Sequence, residues 1–451
     1  MSRSTAIRTL MFVVSSALFC RNAPAQASHD ASDRAAFVAW ARKTAIPIGS
    51  FDERDSRLDP ARVGSFTRDT RVVGIGESVH GTHELMLLKS RMTEQLILHG
   101  RVSAVVLESG LAEGRVIDAW VTRQTDSTPD FARSLSYGWG QQSETIAALR
   151  QLREHNARVP VARRVHFYGM DLPANGGGSL LPALAPVWSY LDDVDPAFAA
   201  ESRARLMPIA TMLASEGYGI VDKYAAAGAA RDTLRVQLDA LVQRFRANER
   251  AYASRAPSDR YAWALRLAEV ARQTEVAVRI GWNDASNPRD SAMAENVGWI
   301  VAREHARGVV VVWAHDLHVG RVPIGGPIFA SRGGAPSVTS MGERLARSFG
   351  RAYVPIGTAF RRHTADSAFV LDSASADDAL ARVDIPRYLL DLTRAPHQGP
   401  VARWLQATRL KRAEDGYVAT SVGRAYDAIV YVDSIGPSRA GGAQGTCCDL
   451  P

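Results

Sequence analysis

Short apolar runs rich in β-branched residues recur along the chain, most of them separated by long stretches with helical periodicity. They are Thr70–Gly76 (TRVVGIG), Ser103–Leu107 (SAVVL), Val165–Gly169 (VHFYG), Gly308–Ala314 (GVVVVWA), Ala352–Gly357 (AYVPIG) and Tyr426–Val432 (YDAIVYV). Continuous apolar strands alternating with helices predict a parallel sheet covered on both faces. After the first run, Leu85, Leu88, Met92 and Leu96 fall at i, i+3, i+7 and i+11, the signature of a helix with one buried face. Residues 183–280 are rich in Ala, Leu and Arg with almost no strand signal, which predicts a helical insertion over one end of the sheet, a lid region. The Gly/Pro-rich stretch 319–342 predicts a long loop, and in a compact domain so long a loop is more often functional than idle. The expected fold class is therefore α/β: an open, mostly parallel sheet flanked by helices. One domain spans 29–433, with 183–280 inserted in it, and residues 436–451 form a flexible tail.

Composition fits an ordinary globular chain: 451 residues, 46% hydrophobic and 22% charged. Fifty-four basic against 47 acidic residues leave +7, which raises the question of a polyanionic partner. Only Lys43, Lys89, Lys223 and Lys411 are lysines, and the arginines are scattered with no basic run. That distribution argues against nucleic acid. At the start, Arg3 and Arg8 precede an apolar run (10–20) too short to span a bilayer, followed by Ala23-Pro24-Ala25. This predicts a signal peptide over 1–25, cleaved to leave a periplasmic or secreted protein with no membrane span of its own. Beyond it the cysteines are Cys447 and Cys448, adjacent in the tail. An adjacent pair bridges only with strain, so neither a structural disulfide nor cysteine catalysis is expected.

The chemistry gathers at the strand ends. Glu77, Glu108, Asp171 and His315 follow the first four strands, and open α/β sheets bind ligands beyond those carboxyl ends. In GIGESVHGTHEL (74–85) Glu77 and His80 are three apart, so a carboxylate can orient the imidazole and make it the base that water activation requires. His83 lies a further turn on and reads as solvated. In VVVWAHDLHVG (310–320) His315 and His318 are again three apart, a pair suited to metal binding, proton shuttling or oxyanion stabilisation. His83-Glu84 opens like a zincin helix, but Leu87 stands where the second histidine belongs. Ser78 lacks the closing glycine of a nucleophile elbow. No P-loop or dinucleotide fingerprint is present.

Taken with VVLESGLAEG (105–114), GMDLPANGGG (169–178), RDSAMAENVGW (289–299), MGERL (341–345) and YDAIVYVD (426–433), these segments resemble the erythromycin esterase family. Order and spacing hold from about residue 35 to 433. The resemblance implies that His80 is the general base on a water that opens a macrolactone ester without a covalent enzyme intermediate. It implies Glu77 beside the base, Glu108 as a second essential carboxylate and His315 and His318 as the paired histidines. Lys89 stands where some members carry an arginine that matters for activity; with Asp171 it is the expected substrate-binding residue. No metal or other cofactor is implied. An export signal sets the chain apart from the cytoplasmic resistance esterases, although a bacterial antibiotic-resistance role is the family's association.

The expected function is hydrolysis of a small-molecule carboxylic ester or lactone, macrolides included. Two alternatives remain: a metal-dependent hydrolase using His80, His315, His318 and a glutamate, and a non-catalytic binding or polysaccharide-assembly protein on the same fold. Substrate identity and oligomeric state are not legible in the sequence.

Overall fold

A computed structural model describes residues 30–50, 63, 69–98, 101–215, 219–281, 284–304, 307–326, 337–366 and 370–440. The expected signal peptide, and the tail with Cys447 and Cys448, lie outside these residues.

The strands are β1 (Ile46–Pro47), β2 (Val72–Ile75), β3 (Val102–Gly110), β4 (His166–Asp171), β5 (Val309–Trp313), β6 (Ile324–Gly325), β7 (Ser337–Val338), β8 (Tyr353–His363), β9 (Arg387–Asp391), β10 (Arg409–Ala413), β11 (Gly416–Thr420) and β12 (Ala428–Ile435). Eight of them form one sheet in the order β1-β9-β12-β8-β2-β5-β3-β4. From β12 to β4 every neighbouring pair is parallel, and these six strands are the six apolar runs of the sequence. At the other edge β9 is antiparallel to β12 and β1 antiparallel to β9. The fold is thus the α/β architecture expected, with an antiparallel edge added. That edge escaped notice because β9 has only Tyr388, Leu389 and Leu390 as an apolar run and β1 is two residues long.

Alternate residues of the central strands enter two different cores. Val72, Val106, Val310 and Val312 face one, while Val73, Val105, Val311 and Trp313 face the other, which is why these strands read as unbroken apolar runs. Over the second face lies helix His83–Leu98 with Leu88, Met92 and Leu96 inward; Leu85 joins a small separate cluster with Phe360 and Ile435. Among the described residues between 181 and 280 the chain runs through six helices, from Leu181–Val194 to Ser258–Ile280. Their apolar sides, among them Leu184, Trp188, Leu238, Phe245 and Leu267, belong to the first core, so this segment packs as a layer of that core. Within 319–342, expected as a loop, β6 and β7 pair as a short antiparallel ribbon.

The chain beyond β12 is ordered further than expected. Over 436–440, Pro437 bridges Thr82 and Ala440 bridges Gln142, and His83 N–H donates to Gly436 O at 2.8 Å. Backbone pairing satisfies amides that a free tail would leave to water.

Helix Leu111–Val121 approaches β4 closely at Gly114, where an added Cβ would lie 2.5 Å from the Gly169 amide nitrogen. Alanine in a helix is ordinarily favoured over glycine by about 1 kcal/mol. Here the new methyl meets backbone that cannot rotate away, at a cost of about 1–3 kcal/mol. Gly114→Ala is therefore expected to lower stability in a urea melt, reversing the sign that helix propensity alone predicts.

Candidate active site

The central sheet changes winding direction around β2: the chain leaves β2 for β3 and β4 on one side, returns as β5, and crosses to β8 on the other. Carboxyl ends at such a reversal leave a crevice between diverging connections. Glu77, Glu108, His315 and His318 meet there, and Asp171 closes the row at β4.

After β2 the chain bends at residues 78–81 before helix His83–Leu98 begins. Glu77 and His80 are brought together by this bend; no helical turn is involved. Glu77 Oε1 lies 2.9 Å from His80 Nδ1. A carboxylate accepts only, so it holds the proton on Nδ1 and leaves the Nε2 lone pair exposed. With 40% of its side chain exposed, His80 is the open member of the pair, for Glu77 is 1% exposed. The imidazole stands edge-on to Trp139 at 5.4 Å and 4.9 Å from the His315 ring.

The other oxygen of Glu77 is paired with Lys89. Lys89 is fully buried and also donates to Ala314 O at 3.2 Å. Burial lowers its ammonium to about 7, against the raising fields of Glu108 and Asp316. Lys89, expected to bind substrate, has no exposed surface, and its position on the inner side of the helix aims it at Glu77. His83 is likewise turned away, paired with Glu144 beneath the 436–440 segment.

Glu108 sits where β3 loses register with β4, between Leu107 and Gly110. Such an irregularity re-aims side chains. Its Oε1 accepts from Arg289 Nη2 at 2.8 Å and lies 3.3 Å from His318 Nε2, while Oε2 accepts the His315 backbone N–H at 2.9 Å. Burial acts to raise the Glu108 carboxyl, but the cationic His318 and Arg289 hold it well below the ordinary carboxylate range. Asp171 is fully buried, gripped by Arg289 Nη2 at 2.6 Å, Tyr137 Oη at 2.9 Å and the Leu172 N–H at 2.7 Å. Asp171 anchors Arg289, and with Oδ1 and Oδ2 both engaged it has no acceptor turned outward.

The two histidines after β5 differ sharply. His315 caps the short helix Asp316–Val319, its Nδ1 accepting the Leu317 N–H at 3.1 Å. Nε2 therefore carries the proton and faces Ser78 O at 3.1 Å and Glu414 Oε1 at 3.2 Å. Burial lowers its pKa, so this ring is neutral. His318 lies between carboxylates, with Nδ1 2.9 Å from Asp290 Oδ1 and Nε2 facing Glu108. Burial opposes its charge, yet Asp290 and Glu108 together raise it to about 10, which makes it an imidazolium at neutral pH. Arg289 Nη1 and His318 Nε2 lie 3.3 Å apart; Glu108, Asp171 and Asp290 compensate this pair of cations.

Four participants were not singled out in the sequence. Arg289 and Asp290 open helix Pro288–Glu304, and Tyr137 lies under the Arg289 guanidinium at 5.5 Å. A cation in a first helical turn works against the helix dipole, and that charge at residue 289 was the available signal. The fourth, Glu414, is at the tip of the β10–β11 hairpin, with Oε1 accepting the His80 N–H at 3.0 Å. A second layer fixes the floor: Asp316 accepts from buried Lys411 at 2.6 Å and from the Thr358 N–H, and a Cβ at Gly76 would run into that carboxylate. Ser78, the only hydroxyl of the GESVH bend, is fully buried against Thr358.

As metal ligands, Glu77, His80 and Glu108 offer atoms within 4.8 Å of one another. His315 and His318 do not complete that set, because their ring nitrogens are committed as described. Glu77 and Glu108 already carry Lys89, Arg289 and His318 as counter-charges.

The raised pKa of His318 has a sign for stability. An imidazole held near 10 in the fold, against an ordinary 6.5, contributes fully below about pH 6.5 and loses that contribution as pH rises to about 10. The difference in unfolding free energy between the native chain and His318→Gln is expected to shrink over that window, measured by urea denaturation at several pH values.

Comparison with known proteins agrees with this picture. The erythromycin esterase family model matches residues 99–435, a span that holds Glu108, Asp171, Arg289, His315, His318 and Glu414 but begins after Glu77 and His80. Erythromycin esterase type II of Escherichia coli is 25% identical over 347 residues, covering 73% of this chain and 78% of that protein. Three solved structures share the fold. A Bacillus cereus protein has TM-score 0.75 and 19% identity, over 91% of this chain and 99% of its own. A succinoglycan biosynthesis protein has 0.73 and 18%, over 90% and 98%. A mutant of erythromycin esterase EreC in its open conformation has 0.70 and 18%, over 88% and 99%. The chain belongs to the erythromycin esterase family, and with it to the esterase-type hydrolases.

Proposed function

We propose that this protein hydrolyses a carboxylic ester or lactone, with macrolide-type macrolactones as the leading substrate class, by water activation at His80. The observation that carries the reading is the His80–Glu77 pair: an exposed imidazole whose Nδ1 is held by a buried carboxylate 2.9 Å away. His80 Nε2 takes a proton from water as its oxygen attacks the carbonyl carbon. Glu77, charge-balanced by Lys89, keeps the imidazole in one tautomer and supports the imidazolium that forms. The His318 imidazolium and the Arg289 guanidinium, held in place by Asp290, Glu108 and Asp171, face the developing oxyanion. Collapse breaks the carbon–oxygen bond to the alcohol, which recovers the proton from His80. Base catalysis contributes about two to four orders of magnitude and a preorganised oxyanion donor about 3 kcal/mol. No covalent intermediate enters, in keeping with the buried Ser78 hydroxyl.

The test is a screen of purified protein against macrolides and simple lactones by mass spectrometry, seeking a product heavier by one water. His80→Ala is expected to abolish that conversion while leaving the melting transition in place; full activity in a folded His80→Ala protein would overturn the mechanism. The cluster of Glu77, His80 and Glu108 supports one other reading, a metal-dependent hydrolase. Loss of activity on chelation and its return with a divalent ion would favour that route.

We also propose that residues 1–25 export the protein to the periplasm or medium. Fractionation and N-terminal sequencing are expected to find a chain starting at or close to Gln26; full-length protein in the cytoplasm would contradict export.

A further inference from the structure

Glu414 reaches the site from a part of the fold unrelated to the strand ends. Its hairpin joins Arg409–Ala413 to Gly416–Thr420 through Glu414 and Asp415 alone. Such a two-residue turn favours glycine or asparagine where φ is positive, and Glu414 stands at φ 49°. A glutamate held in that conformation needs a reason, and its contacts supply one. Its backbone N–H donates to Ser78 O at 2.8 Å, and Oε1 receives the His80 N–H at 3.0 Å and faces His315 Nε2 at 3.2 Å. The hairpin is fixed from behind, where buried Lys411 donates to Asp316 at 2.6 Å and the Arg412 N–H donates to Asp377 at 2.7 Å. Its apolar side, Ala413 and Val418, packs with Ile324 and Val338.

The same oxygen lies 3.9 Å from His80 Nε2, beyond hydrogen-bond length. With the Nδ1 proton directed to Glu77, Nε2 is an acceptor, so these two atoms are acceptors facing each other. A water molecule is the small reactant that serves both groups, one O–H to Nε2 and the other to the Glu414 carboxylate.

We infer that Glu414 is a catalytic residue, the second acceptor for the attacking water, which turns that water's lone pairs toward the substrate carbonyl. The inference rests on the hydrolytic reading above. In the step itself, one O–H bond of water breaks toward His80 Nε2 and the oxygen bonds to the carbonyl carbon. The carbonyl electron pair moves to its oxygen, and the second proton stays on the new hydroxyl, still donated to Glu414. When the tetrahedral species collapses, the alcohol leaves with the proton from His80, and Glu414 ends as it began. His315, neutral and donating through Nε2, keeps the Glu414 carboxylate in place.

The experiment pairs a rate with a histidine titration. On an ester or lactone that the native protein turns over, kcat is expected to fall about tenfold in Glu414→Gln and about 100-fold in Glu414→Ala. Gln keeps one acceptor oxygen without the charge; Ala keeps neither. KM is expected to stay within about twofold, because the lost contact is to water and not to substrate. In NMR of isotope-labelled histidine, removing the Glu414 charge is expected to move the His315 titration to lower pH. Unchanged kcat in both variants, or a loss carried by KM alone, would overturn the inference while hydrolysis by the native protein stands. If the native protein hydrolyses no ester or lactone, the hydrolytic reading falls and the role in orienting water falls with it. An unaltered His315 titration would separately remove the contact between Glu414 and His315.

Discussion

Carboxylates taken out of water have to be met by charge or by N–H donors, and that requirement organises the carboxyl edge of this sheet. Desolvation costs several kcal/mol per ion unless partners are close and well aligned. Lys89 meets Glu77, Arg289 meets Glu108 and Asp171, His318 meets Asp290 and Glu108, and Lys411 meets Asp316. Every cation in this set is nearly buried, so its position follows from its carboxylate. His80 differs by being anchored on one side and open on the other. The ion network leaves one imidazole with a defined tautomer beside fixed positive charge.

The fold makes this affordable by drawing the partners from distant places. Helix His83–Leu98 supplies Lys89 from one face of the sheet, and the first turn of Pro288–Glu304 supplies Arg289 and Asp290 from the other side. The β10–β11 hairpin adds Lys411 and Glu414 from the last quarter of the chain. The reversal of winding at β2 leaves room for all three to converge. One consequence is that the helices between 181 and 280 do not furnish the charged set described; they thicken the core behind it.

The sheet and the sequence positions of the candidate residues are legible in the chain, for one shared reason. Six parallel strands declare themselves because both faces are apolar, and Glu108 near the end of β3, with Glu77, His80, His315 and His318 within a few residues past β2 and β5, lie where sequence order and spatial position coincide. Tertiary packing places other residues where their numbers alone do not. Lys89 looked like a substrate-binding cation because its number placed it near the base, but helix phase turned it inward onto Glu77. Asp171 is at its strand end as expected, yet Arg289, 118 residues away, takes its oxygens. Glu414 had no local signature beyond an unusual turn residue, since β10 (RLKRA) is mostly charged and β11 (GYVAT) is short and only partly apolar.

Sequence by itself determined the class of sheet, the family and which acids and histidines are candidates for the site, because these depend on short-range periodicity and on motifs a few residues long. Only the tertiary structure decided the protonation and the duty of each group. His315 and His318 are three residues apart and equivalent on paper. One is neutral because burial outweighs Glu414, and the other is charged because Asp290 and Glu108 flank it. Charge state depends on what the rest of the chain brings within a few ångströms, and spacing along the sequence carries no record of that.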